Sequence, residues 1–175
     1  MAWAAIGGAL DVMPVIRAAS PDESGLPPHS KMFSMTEIVN RQRTRKINTR
    51  QWRHFADAAL KAMGADHREA TIVFVSDRKI KELNRTYRGK HYATDVLSFP
   101  TNPAEFEAEF KSNLGDVVIS VDRATAQAKK ARHSFADEVK QLILHGLLHL
   151  CGYDHETDHG RMNRLELRFR RRLGI

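Results

Sequence analysis

The run Leu142-Ile143-Leu144-His145-Gly146-Leu147-Leu148-His149-Leu150 is apolar except for two imidazoles and a glycine. That pattern predicts a helix buried on all sides, not a surface helix with one wet face. Such a helix has to sit at the centre of a core, so the rest of the chain must supply layers around it. The two histidines are four residues apart, about one turn along the same helical face, and their rings therefore point side by side. Gly152 permits a left-handed turn at the helix end, after which the chain doubles back and brings His155 beside the pair. Three neutral imidazoles at about 2.0–2.1 Å from Zn²⁺, with one position left for water, describe a catalytic site; structural zinc takes four protein ligands and favours sulfur. The expected cofactor is one Zn²⁺ per chain, held by His145, His149 and His155.

The layers are legible upstream. Residues Thr36 to Asn40 form a short β-branched run, and Asn48-Thr49 offers an N-cap for a helix from Arg50 to about Met63. Thr71 to Val75 reads as a buried strand, with Ser76-Asp77 capping a helix through Tyr87. Thr94 to Phe99 and Asp116 to Ser120 read as two more strands, separated by a loop with Pro100, Pro103 and the acidic alternation Glu105, Glu107, Glu109. Asp122 to Arg132 is a polar helix, Ser134 starts the long buried helix ending at Gly152, and a last helix runs from about Asp158 to Leu173. The fold class expected is α+β: a small mixed sheet of about four strands packed with about five helices.

Composition narrows the function. The chain has 175 residues, 28 Lys plus Arg against 21 Asp plus Glu, and a formal charge of +7, which suits one domain with an anionic partner such as nucleic acid. Cys151 is the sole cysteine, so disulfide scaffolds and Cys-rich zinc frameworks are excluded and a reducing, cytoplasmic setting is expected. Cys151 itself is read as packing. No apolar run approaches the length of a membrane span. Residues 1–35 hold four of the six prolines and are read as a disordered extension, with residues 36–175 as a single catalytic domain. The apolar run Ala2 to Leu10 has no basic leader before it, which argues against a secretory signal. Met32 and Met35 leave open an over-extended start codon.

The histidine spacing with glycine at the seventh position coincides with the metzincin pattern H-E-x-x-H-x-x-G-x-x-H, except that Gly146 replaces the glutamate. That glutamate is the general base of a zinc protease, so peptidase chemistry is disfavoured while the metal geometry survives. The segment His145-Gly146-Leu147-Leu148-His149-Leu150-Cys151-Gly152-Tyr153-Asp154-His155 closely resembles the signature of the YbeY endoribonucleases. Two further blocks agree with it: Leu83 to Lys90 followed by Ala93 to Pro100, and Leu114 to Ile119.

The resemblance implies a zincin-like fold and a zinc-dependent, single-strand-directed RNase of ribosomal RNA maturation and ribosome quality control. It implies His145, His149 and His155 as ligands and Arg88 as the functional arginine. The expected partners are RNA, of the 16S-type precursor, and the ribosome. Arg88 is suited to hold a phosphate bidentately. Asp154 either orients a ligand imidazole or is a turn residue; Asp95 and Asp116 are expected to fix strand ends, and His159 to be a surface histidine. RNA affinity is expected from two cationic stretches, with Arg41, Arg43 and Arg45 in the first and Arg164 and Arg168 in the last helix. The competing reading is a ribosome-associated chaperone that uses zinc for stability.

Overall fold

The computed structural model describes residues 36–101, 112–155 and 157–175. The expected extension over 1–35 and the acidic alternation at Glu105, Glu107 and Glu109 lie outside the described residues. Four strands and five helices follow in chain order: β1 (Glu37–Asn40), α1 (Thr49–Ala62), β2 (Glu69–Val75), α2 (Asp77–Arg88), β3 (Val96–Pro100), β4 (Asn113–Ser120), α3 (Val121–Ala131), α4 (Phe135–Leu150) and α5 (Arg161–Leu173). The sheet runs in the order β1-β2-β4-β3, with β1, β2 and β4 parallel and β3 antiparallel at the edge. The mixed α+β architecture expected from the sequence is therefore present.

Helix starts follow local chemistry. The side chains of Asn48, Ser76, Ser120 and Ser134 each accept a hydrogen bond from the backbone N–H three residues on, satisfying a donor the helix leaves without a partner. Alternation along the strands sorts the core into two layers. Ile72, Phe74, Val117 and Ile119 face α1, α3, α4 and α5, while Val73, Val75 and Val118 face α2 through Ile80 and Leu83. The apolar helix expected from Leu142 to Leu150 is buried as predicted, with Ile143, Leu144, Leu147 and Leu148 at 0% exposure.

Several boundaries differ from the sequence reading. β4 begins at Asn113 rather than Asp116, because its first residues pair with β2 through a register shift. Gly115 has φ +123°, and the Asn113 side chain accepts its N–H; residues read as the end of the preceding loop form a bulge within the strand. Asp116 accordingly lies buried inside β4, opposite Thr71 and Phe99, not at a strand end. β3 starts at Val96 because the Asp95 carboxylate accepts from Thr94 Oγ1 and Val96 N. α5 starts at Arg161 because the chain turns left-handed at His159 and Gly160, while Asp158 accepts the Met162 N–H from outside the helix.

Candidate metal centre

α4 lies against the sheet at unusually close range. A Cβ added to Gly146 would meet Val117 Cγ1 at 2.4 Å, and Ser98 Oγ of β3 donates to the Gly146 carbonyl at 3.4 Å. The position that holds glutamate in a zinc protease therefore has no room here for any side chain. Gly146 sets the depth at which α4 sits, and with it the height of His145 and His149 above the sheet.

At the end of α4, Cys151 caps the helix and Gly152 takes φ +87°, turning the chain so that His155 returns toward the helix. His145 Nε2 and His149 Nε2 face one another at 3.2 Å. The rings of His155 lie 5.6 and 5.4 Å, centroid to centroid, from those of His145 and His149. One ligand atom from each of the three lies within 4.8 Å of the others, and they form the potential metal-binding group found among the described residues. Nitrogens on a tetrahedral zinc stand about 3.3–3.4 Å apart at the usual bond length. The His145–His149 pair already has that spacing; the His155 arm, on a loop, is wider.

The tautomer of His145 is fixed from behind. Its Nδ1 lies 3.1 Å from Glu166 Oε2, an N–H donating to a carboxylate, which leaves Nε2 with a lone pair directed at His149. Arg170, one turn along α5, pairs with the other Glu166 oxygen. Burial alone would raise the Glu166 carboxyl, but the hydrogen bond from His145, together with Arg170, holds it below the ordinary carboxylate value. His149 is pushed down to about 4, first by burial and then by its two histidine neighbours, against the opposing pull of the Tyr153 backbone and Asp154. It is neutral at physiological pH, the form a metal ligand must have. The donor set, its spacing and its protonation fit a divalent ion such as zinc with a position left over.

Glu166 was not anticipated, yet the sequence carried a signal for it. It stands four residues after Met162 and three before Phe169, on the face that buries both. A carboxylate on the apolar stripe of an arginine-rich helix has to meet a buried partner. Asp154 takes part in the turn, accepting from Thr157 Oγ1 while its carbonyl takes the Thr157 and Asp158 N–H groups. Cys151 is half-buried against the core, its thiol raised by burial. His159 is exposed.

The remaining candidates are scattered. Arg88 is the last, half-buried residue of α2, a helix packed on the sheet face opposite α4. Both helices nevertheless touch the edge strand β3, α2 through Tyr87 on Phe99 at 5.3 Å and α4 through Gly146 and Ser98. Arg41, Arg43 and Arg45 are exposed in the segment after β1; the Arg41 N–H donates to the Phe74 carbonyl, and the Arg45 guanidinium lies 4.0 Å over the Phe135 ring. Arg164 and Arg168 are exposed on α5.

Comparison with known proteins bears on the same elements. The family profile described as Endoribonuclease YbeY matches residues 37–174. A protein named Endoribonuclease YbeY from Syntrophus aciditrophicus is 38% identical over 128 residues, covering 73% of this chain and 80% of its own. One of the same name from Aquifex aeolicus is 47% identical over 118 residues, covering 67% and 75%. The solution structure of TM1509 from Thermotoga maritima shares the fold, with a TM-score of 0.54 at 23% identity over 79% of this chain and 89% of that one. Since the matched span runs from the first strand to the end of the helix that carries Glu166, and so takes in all three histidines, the chain belongs to the YbeY endoribonuclease family.

Proposed function

We propose that this protein is a zinc-dependent endoribonuclease directed at single-stranded RNA, acting in ribosomal RNA maturation and ribosome quality control in the cytoplasm. Residues 36–175 form its catalytic domain. The observation that carries the reading is the convergence of His145, His149 and His155 at the end of a buried helix, in a chain whose relatives are named endoribonucleases. His145, His149 and His155 hold the ion, with the His155 loop closing the third corner. A bound divalent ion supplies Lewis acidity to a phosphodiester whose negative charge grows in the transition state. Glu166 keeps the His145 lone pair aimed at the ion and makes that imidazole a stronger donor.

Arg88 supplies the second positive charge. Its helix and α4 contact the edge strand β3 from opposite faces, and the RNA strand runs along this edge between Arg88 and the histidines. The guanidinium grips a phosphate at two oxygens and fixes its orientation. Arg43, Arg45, Arg164 and Arg168 add sequence-independent attraction at the exposed surface. The RNA is of the 16S precursor class, met on the ribosome.

The test is Arg88→Glu at matched salt, with cleavage measured on single-stranded and structured RNA. The variant should keep its metal content and thermal midpoint while cleavage falls at least about 100-fold, the scale on which loss of a transition-state contact is felt. Equal cleavage by variant and parent would remove Arg88 from the site, and no cleavage by the metal-loaded parent would remove the activity itself.

A further inference from the structure

A second concave surface lies away from the histidines, on the α2 side of the sheet. It encloses about 750 Å³, a volume in the ordinary range of ligand sites, and is backed by the buried residues Val73, Val75, Leu83 and Val118. Its rim is formed by Arg41, Arg78, Lys79, Lys81, Arg85 and His91, with Glu82 as the only acid. Lys79 neutralises that acid at 3.2 Å. Arg78, Lys81 and Arg85 have no carboxylate partner among the described residues. They fall on one face of α2, since positions 78, 81 and 85 are spaced three and four apart.

The topology explains why a cavity opens there. β1 and β4 pass the chain to helices on one face of the sheet, α1 and α3, whereas β2 passes it to α2 on the other. Adjacent parallel strands whose connections diverge leave a crevice at their carboxyl ends, the place where open α/β sheets bind ligands. Arg41, first after β1, and Ser76, first after β2, both line this cavity. A solvated helix face accounts for exposed cations on a convex surface. It does not account for cations ringing a hollow at a topological switch point.

We propose that this groove is a secondary docking site for single-stranded RNA, which binds the substrate at a distance from the bond that is cut. The proposal rests on RNA being the substrate. Phosphates of the strand meet the cationic rim, whose charge is complementary to theirs. The groove contributes to affinity for long strands and leaves the chemistry of a short one untouched.

The experiment uses the full-length, metal-loaded protein, with Arg78→Ala/Lys81→Ala compared to the parent. The probe is a labelled, cleavage-resistant (2′-O-methyl, phosphorothioate) oligouridylate of about 20 nucleotides, read by fluorescence anisotropy across a salt series. Loss of two phosphate contacts should weaken binding about tenfold and reduce the salt slope by about 1.4, at roughly 0.7 per phosphate. Cleavage of a tetranucleotide should be the same in both proteins. Unchanged affinity and slope in the variant overturn the proposal. A polyglutamate peptide that binds the parent as tightly as the RNA, and is lost in the variant, also overturns it by assigning the groove to an acidic protein. Because binding is read without turnover, failure of the groove and failure of the nuclease reading give different results.

Discussion

Glu166 shows how much one side chain outside the ligand set governs the site. With its carboxylate on His145 Nδ1 and Arg170 behind it, the imidazole is held in the tautomer that offers Nε2. Glu166→Gln keeps the shape and removes the charge, so metal affinity should fall about 10–100-fold while the fold is retained. Competition with a metal-sensing chelator measures this, and affinity equal to the parent's would show that Glu166 only anchors α5. His145 and His149 were legible from spacing alone, because helix periodicity converts a four-residue separation into proximity, and His155 from the glycine that turns the chain back. Glu166 was hidden because it arrives from a helix 21 residues away, and a tertiary approach of that kind leaves no periodic trace; only its place on the apolar stripe between Met162 and Phe169 announced it.

At the scale of elements, α4 and β4 form the unit that sets the centre's geometry. Gly146 lets the helix settle on Val117, and a methyl group at that position would overlap Val117 Cγ1 at 2.4 Å. Alanine is the better helix former by about 1 kcal/mol, but overpacking costs about 1–3 kcal/mol and should win. Gly146→Ala is therefore expected to lower stability in denaturant titration. In a double-mutant cycle with Val117→Ala the costs should be less than additive, since the second change removes the atoms in the way. Strict additivity would mean that the close approach is not what glycine provides. Helix positions were readable because capping residues sit where the backbone needs them, as at Ser76 and Ser134. The start of β4 was not, because Asn113 and Gly115 carry the chemistry of a turn and the structure uses it for a bulge, which only pairing with β2 distinguishes. Nor does sequence show what the cations after β1 touch: the Arg45 guanidinium lies over Phe135, and Arg53 donates to the Thr36 carbonyl.

On the scale of the whole molecule, the buried cluster ties folding to pH. His149 has its folded pKa depressed to about 4 from 6.5, so between these values the unfolded chain binds the proton and the folded one does not. Its contribution is fully present above about pH 6.5 and is lost as the pH falls toward 4. The lowered Glu166 carboxyl acts in the same direction, stabilising above the ordinary carboxylate range and losing that effect on further acidification. The metal-free protein should thus show a thermal midpoint that declines from pH 6.5 to 4. A bound ion should raise the whole curve and steepen its acid limb, since protons compete for the same nitrogens. A midpoint flat from pH 7 to 4 would contradict the burial of a neutral imidazole at the centre. The central claim is that three histidines on a buried helix and its following turn make a metal centre that cuts RNA. The most direct measurement is cleavage of single-stranded RNA by chelator-stripped protein during titration with zinc. Activity should rise linearly and level off at one ion per chain, with no recovery in His149→Ala at any ratio. Cleavage that persists in the stripped protein, or that His149→Ala recovers as the parent does, would contradict the account.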